Sequence, residues 1–165
     1  MLTLQFSTTD ALLSRAIRWL SFSWASHVDI VLPNGVLFGA LTTPGVCLHQ
    51  PPAGGYSRVE RYAVDLPARP VLAFLRKQLG KPYDWTGVVG WAIRRDWHDP
   101  RHWFCSELVA AAFEAAGTPL LRAPQSRVTP QDLLMSPWLR PLRPARAAVI
   151  EPSSCVPVSF RRPAA

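Results

Sequence analysis

Hydrophobic and polar residues alternate with a period of two in several stretches of the first 64 residues, which is the pattern of half-buried β-strands. These stretches are residues 2–6, 26–32 and 58–64, while residues 36–41 and 46–49 are further strand candidates that follow turns. Asn34-Gly35 lies between 26–32 and 36–41 and tolerates the positive φ angles of a tight hairpin turn. The pattern therefore predicts a small antiparallel sheet in this part of the chain.

Helical spacing of apolar residues marks four other segments. The first follows the capping residues Ser7 to Asp10, the second spans 71–79, the third begins at Cys105, and the fourth spans 131–135. We expect the first helix to bury Leu12, Leu13, Ala16, Ile17 and Leu20. The third carries its apolar face at Leu108, Val109, Ala112, Phe113 and Ala116. Helices in addition to an antiparallel sheet indicate an α+β fold.

Cys105 stands where the third helix begins, beside Phe104, and Gly117 ends that helix. A thiol in the first turn faces unpaired backbone N–H groups and the positive end of the helix dipole, and both favour the thiolate. A lone cysteine is more often a small core residue, so a nucleophile also needs a nearby base. His27 is the candidate base, because strand alternation places it on one face with Asp29. The alternative is an ordinary structural histidine.

Composition limits the class of protein and its partners. The 165 residues are 48% hydrophobic, which predicts one domain, 1–140, followed by a Pro/Arg-rich extension, 141–165, that is an edge strand or frayed. The net charge of +7 comes mostly from arginine, which suits anionic surfaces, but regular aromatic interleaving is missing, so we expect no nucleic acid partner. Three cysteines without metal-like spacing, and no secretion-signal or membrane-spanning pattern, favour a cytoplasmic protein.

Three motifs resemble those of the NlpC-type papain-fold hydrolases. Residues 104–109, Phe-Cys-Ser-Glu-Leu-Val, resemble the nucleophile motif; residues 26–31, Ser-His-Val-Asp-Ile-Val, resemble the histidine hairpin; and residues 80–85 resemble the Gly-x-Pro-Tyr-x-Trp segment. The histidine precedes the cysteine, which is similar to the circularly permuted branch that includes YiiX/YaeF-like proteins and is related to lecithin:retinol acyltransferase. The resemblance covers about residues 2–138. It implies a papain-like α+β fold, circularly permuted, with the nucleophile helix packed on a small antiparallel sheet.

The resemblance also assigns roles to single residues. Cys105 is the nucleophile, and His27 is the general base and later the general acid. Tyr83 and Trp103 are candidates for contact with the oxyanion or the substrate. The family places a polar orienting residue twelve positions after the histidine, and here that position is Gly39. Asp29 is the candidate orienter, although neighbours two apart on a strand point outward side by side. Thr42, His49 and Gln50 are looser options, and a bare dyad is another.

The function implied is a cysteine hydrolase that cleaves an amide bond, with cell-wall peptide as the typical substrate and no cofactor. A cytoplasmic or prophage-encoded enzyme fits the absence of a signal. One alternative is a lipid or acyl-ester hydrolase or acyltransferase with the same dyad, and another is a binding module that has lost catalysis. The tryptophan- and arginine-rich stretch 91–103 would suit a cleft wall or an anionic membrane surface. His98 and His102 have helical spacing for a metal, but Pro100 argues against a helix, so we expect no metal.

Overall fold

The computed structural model describes residues 1–84, 101–124 and 128–142. Within these ranges the chain forms one six-stranded sheet and four helices. The strands are β1 (Leu2–Thr8), β2 (His27–Val31), β3 (Leu37–Leu41), β4 (Gly45–His49), β5 (Arg58–Val64) and β6 (Leu139–Leu142). The helices are α1 (Leu12–Ser21), α2 (Ala68–Gln78), α3 (Cys105–Ala115) and α4 (Pro130–Leu134).

The sheet has the order β4-β3-β2-β1-β5-β6, and every neighbouring pair is antiparallel. β1 lies inside the sheet, where Leu4 is opposite Ile30 of β2 and Tyr62 of β5. β2, β3 and β4 follow one another in the chain and are neighbours in the sheet, so they form a continuous meander. The Asn34-Gly35 turn joins β2 and β3, and Gly35 has φ +80°. The α+β class and the antiparallel sheet predicted from the sequence are confirmed.

α3 packs on the sheet and on α2. Its contacts are with β2 and β3 on one side and with α2 on another. Leu108, Ala112 and Phe113 of α3 are fully buried in the same hydrophobic cluster as Val28 and Ile30 of β2. This packing fixes the start of α3, and with it Cys105, relative to the strand that carries His27.

α4 is short and is stabilised at its first turn. The Thr129 hydroxyl accepts a hydrogen bond from the Asp132 backbone N–H at 3.1 Å, while the Asp132 carboxylate accepts one from the Thr129 backbone N–H at 2.8 Å. Pro130 occupies the first helical position. Just before α4, the Val128 carbonyl accepts a hydrogen bond from the Ser106 hydroxyl, which ties this segment to the first turn of α3.

The prediction for α1 was wrong in its buried face. Among the apolar residues of this helix only Ile17 is buried, whereas Leu12 and Trp19 are 81% and 76% exposed. The predicted side-chain cap is also missing, since Ala11 is the N-cap residue and makes no side-chain cap bond. Helical spacing shows which residues share a face, but it does not show whether another element covers that face. Phe22, in a left-handed conformation just after α1, is 94% exposed.

β6 is an edge strand that pairs with β5 and runs across the predicted domain boundary at residue 140. Residues 143–165, most of the predicted extension, lie outside the described residues, as do 85–100. No helix in the described part of the chain has the length and hydrophobicity needed to cross a bilayer.

Candidate active site

Cys105 is the first residue of α3 and is buried, with 1% of its surface exposed. The helix begins there because Phe104 is extended at φ −86° and ψ 153°, and its backbone N–H donates to the Glu107 carboxylate at 3.3 Å. A carboxylate in the first turn also compensates the helix dipole. The thiol is therefore held at a well-formed helix N-terminus.

His27 opens β2 and contacts both Asp29 and Cys105. Its Nε2 lies 2.8 Å from Oδ1 of Asp29, and the Cys105 side chain is close enough to help raise the pKa of His27. Because Nε2 is taken by the carboxylate, Nδ1 is the ring nitrogen that is left for a thiol. The three residues thus have the order of a catalytic triad: thiol, imidazole, carboxylate.

Gly39 makes the contact between His27 and Asp29 geometrically feasible. A Cβ atom at position 39 would overlap Oδ1 of Asp29 and would lie 3.1 Å from its Cγ and 3.6 Å from Nε2 of His27. The Asp29 carboxylate therefore fills the space that any other side chain at position 39 would occupy. Side chains two apart on a strand point outward side by side, which made contact between His27 and Asp29 difficult to expect. The space at Gly39 on the neighbouring strand β3 gives the Asp29 carboxylate the room to make this contact.

His49 of β4 also faces the Asp29 carboxylate. Its Nε2 lies 3.1 Å from Oδ1 of Asp29, and its Nδ1 lies 3.0 Å from the Gln50 carbonyl oxygen. β3 separates β2 from β4, so the two strands are about 9.6 Å apart at the usual spacing. Side chains can meet over that distance because β3 contributes only Gly39 between them. The sequence named His49 among looser options, but the register of β4 was needed to show its contact.

Charge in this cluster is strongly coupled. Burial by itself would lower the pKa of His27, but the negative charges of Asp29 and Cys105 outweigh it and raise that pKa well above 6.5. Burial would raise the pKa of Asp29, yet the charge of His27 and the hydrogen bond from it hold that pKa well below its usual range. Asp29 is fully buried and His27 is 21% exposed. The cluster therefore holds a carboxylate paired with a protonated imidazole.

Polar groups of β1 and of the loop that precedes β5 lie around the carboxylate. Gln5 and Ser7 are buried and stand opposite Asp29 and His27 in the sheet register. The pKa of Tyr56 is raised, first by burial and then by the charge of Asp29. Within the described residues, Oδ2 of Asp29 is buried and makes no hydrogen bond. One oxygen of the carboxylate is thus used by two histidines while the other is unpartnered.

Tyr83 lies near the nucleophile. Its pKa is raised, first by burial and then by the charge of Cys105, and its ring meets that of Phe104 edge-on at 5.8 Å. A bridge between Tyr83 and Trp103, with backbone bonds from Asp84 to Trp103 and from Trp103 to Pro82, fixes this segment beside the start of α3. The proximity is what a role at the oxyanion or substrate requires, and that role stays a prediction.

Trp103 is turned towards α2. Its indole N–H donates to Gln78 at 3.2 Å, its ring meets Phe74 edge-on at 6.0 Å, and only 4% of the residue is exposed. These contacts explain its position by packing, and contact with a substrate stays a prediction. Of the histidine pair considered for a metal, His98 lies outside the described residues.

No protein-family model and no curated protein matches the chain. Among solved structures, the fold is similar to that of the metalloprotein YiiX from Escherichia coli O157:H7, DUF1105. The TM-score is 0.64 at 19% sequence identity, and the match covers 85% of this chain and 94% of that chain. The two proteins therefore share a fold.

Proposed function

We propose that the chain is a cysteine hydrolase of the papain-like NlpC type, in the circularly permuted order, and that it cleaves an amide bond through an acyl-enzyme. One observation carries this proposal: His27 lies between Asp29 and Cys105, and Cys105 begins a helix. The motif resemblance and the fold shared with YiiX support it. Cell-wall peptide is the substrate class that we propose, in a cytoplasmic or prophage-encoded enzyme.

The reaction begins from an ion pair in which Nδ1 of His27 already holds the proton that Cys105 has lost. The thiolate attacks the carbonyl carbon, a C–S bond forms, and the carbonyl electron pair moves to oxygen. The backbone N–H of Cys105 and the hydroxyl of Tyr83 are the candidate donors to that oxyanion. When the tetrahedral intermediate collapses, the C–N bond breaks and His27 returns its proton to the leaving amine. His27 then takes a proton from water, and the water oxygen attacks the thioester carbonyl carbon. The C–S bond breaks, the acid is released, and Cys105 is left as a thiolate beside the protonated His27.

Asp29 acts as the positioning residue in this scheme. It accepts the Nε2 hydrogen of His27 and thereby keeps Nδ1 free to take the thiol proton. It replaces the polar residue expected at position 39. Because the carboxylate is charged and buried, its hydrogen bond to His27 is of the strong, charge-assisted class.

Thiol alkylation with iodoacetamide, followed by peptide mass spectrometry, tests the nucleophile. Cys47 is more exposed than Cys105, so access alone predicts faster labelling of Cys47. We expect the opposite order, and we expect His27→Ala to reverse it. Equal labelling of the two thiols, unchanged by His27→Ala, would contradict every enzymatic reading and would favour a binding module. Release of free amines from peptidoglycan fragments then tests the bond.

An ester-hydrolysing or acyl-transferring enzyme that acts on lipid is the second candidate, and α1 favours it. This helix exposes Leu12 and Trp19, and its two charged residues, Arg15 and Arg18, are both basic. An exposed apolar face with arginines and no acidic residue suits the surface of an anionic bilayer. α1 ends six residues before His27, so the helix that would hold the lipid is close in sequence to the site. Fatty-acid release from lipid esters, in the absence of amine release, would favour this candidate.

A further inference from the structure

The cluster of His27, Asp29 and His49 has the donors of a transition-metal site. One ligand atom from each residue lies within 4.8 Å of the others. Imidazole nitrogen and carboxylate oxygen are the protein ligands that Zn²⁺ takes in addition to thiolate. The three residues come from two strands of a rigid meander and are held over Gly39, so the donors converge without rearrangement of the backbone.

His49 carries the outer-shell contact that ligating histidines usually have. Its Nδ1 lies 3.0 Å from the Gln50 carbonyl oxygen, which can only accept a hydrogen bond, so Nδ1 bears the hydrogen. In the neutral ring Nε2 then presents a lone pair, and it does so 3.1 Å from a carboxylate oxygen. Two lone pairs facing each other repel unless a proton or a cation lies between them. A ring held this way, with Nδ1–H on a carbonyl, is the arrangement that directs Nε2 to a metal.

The carboxylate of Asp29 is the second sign of a cation. Its Oδ2 is buried and makes no hydrogen bond among the described residues, while its Oδ1 faces both imidazole rings. A buried carboxylate oxygen without a donor is costly, and a cation that binds both oxygens of the carboxylate would remove that cost. The donor set and the unpartnered oxygen therefore fit a divalent ion.

We propose that His27, Asp29 and His49 bind a divalent transition-metal ion, for which Zn²⁺ is the reference, and that the metal-bound site is an inactive state of the hydrolase. The second half rests on the proposed function. Nucleophile activation needs Nδ1 of His27 without a hydrogen, which places the hydrogen on Nε2. A metal on Nε2 takes that position and leaves the ring hydrogen on Nδ1, where it faces Cys105. His27 then has no lone pair for the thiol proton, so the two states exclude each other.

Metal binding is measured by calorimetric titration of the metal-free protein with Zn²⁺ at a fixed pH. We expect His49→Gln to weaken binding by more than about 100-fold, since loss of an outer-shell partner alone costs about 10–100-fold. His102→Gln, which removes another described histidine, and Cys105→Ala are the matched controls and should bind within about 3-fold of wild type. Thermal unfolding shows whether His49→Gln is folded. Equal binding by wild type and a folded His49→Gln protein would overturn the proposal.

Two further measurements keep the test informative if His49→Gln does not fold. Wild-type protein loaded with Co²⁺ should show two exchangeable imidazole N–H signals with paramagnetic shifts, one from each ring bound through Nε2. A single signal, or none, counts against the site. Zn²⁺ should also slow alkylation of Cys105, and a chelator should restore it.

The outcomes separate the metal site from the hydrolase. A fast-reacting Cys105 in a protein that binds no Zn²⁺ leaves the hydrolase standing and overturns the metal site. Zn²⁺ binding without any change in Cys105 alkylation supports the metal site and overturns mutual exclusion. Zn²⁺ binding with a slow thiol at every metal concentration supports the metal site and counts against the hydrolase.

Discussion

Replacement of Gly39 by alanine adds one methyl group at the point where the site is tightest. The new Cβ would overlap Oδ1 of Asp29, and the Cγ of that carboxylate would be only 3.1 Å away. Gly39 does not have a positive φ, so alanine suits its backbone. The whole effect of Gly39→Ala should therefore come from the displaced carboxylate and not from backbone strain.

The expected loss of stability follows from the contacts that Asp29 makes. Its hydrogen bond from His27 involves a charged group and is worth about 1.5–3 kcal/mol. Overpacking costs about 1–3 kcal/mol, while replacing glycine by alanine at a compatible position returns about 0.4–1 kcal/mol. We expect the free energy of unfolding to fall by about 2–4 kcal/mol, which allows for partial retention of the bond.

The expected loss of reactivity is measured by iodoacetamide labelling of Cys105 at pH 7. An ordinary cysteine thiol is only about 3% ionised at this pH. If the displaced carboxylate no longer holds His27 in position, the thiol loses its base, and the labelling rate should fall by up to about 30-fold. Turnover of a substrate should fall further, towards the ~10⁴-fold loss that follows when a triad histidine takes the wrong tautomer.

Two controls define the result. Gly54→Ala adds the same methyl group where no atom lies within 4 Å, and it should change neither stability nor labelling. The double variant Asp29→Gly with Gly39→Asp moves the carboxylate to the neighbouring strand, where its Cβ starts 3.6 Å from Nε2 of His27, and it should recover part of the labelling rate. If Gly39→Ala has the unfolding free energy and the Cys105 labelling rate of wild type, Asp29 does not orient His27, and the interpretation of the site is wrong.

Three other outcomes follow from the same structure. Urea unfolding at each pH, with chelator present, compares the free energy of unfolding of wild type with that of His27→Gln. The advantage of wild type should be full below pH 6.5 and should shrink as the pH rises through the raised pKa of His27. An advantage that grows with pH would contradict the pairing of His27 with Asp29. Tyr83→Phe should lower turnover by about 10²-fold or more and leave Cys105 labelling unchanged if its hydroxyl serves the oxyanion; equal turnover would reduce Tyr83 to packing. Trp19→Gln should weaken sedimentation with anionic vesicles more than Trp138→Gln, a change at another exposed tryptophan, and equal binding would exclude α1 as the contact.

Local chemistry was sufficient to predict most elements of the fold. The Asn34-Gly35 turn and period-two alternation predicted β2 and β3 at 26–32 and 36–41, and they are observed at His27–Val31 and Leu37–Leu41. The start of α2 was less accurate, at residue 71 in place of Ala68, because Pro70 is tolerated within a first helical turn. In each case the determinant is a residue or a period within a few positions of the element.

The site required information that no local pattern contains. The sequence suggested His27, Asp29 and Cys105, but the contact between Asp29 and His49 depends on the register of β4 and on the empty space at Gly39. The exposure of α1 also depends on which element lies above it. Both are properties of tertiary packing, and a single sequence states neither.

The meander of β2, β3 and β4 has a consequence for how the molecule is assembled. His27, Asp29, Gly39 and His49 all lie within 23 consecutive residues, and their mutual contacts are made inside that segment. Cys105 belongs to a separate contiguous unit, a helix that meets the meander only by packing. The polar half of the site is therefore contiguous in sequence, and it meets a nucleophile that comes from a distant part of the chain. Selection can reorder such segments along a gene and still recover the same meeting point of thiol and imidazole.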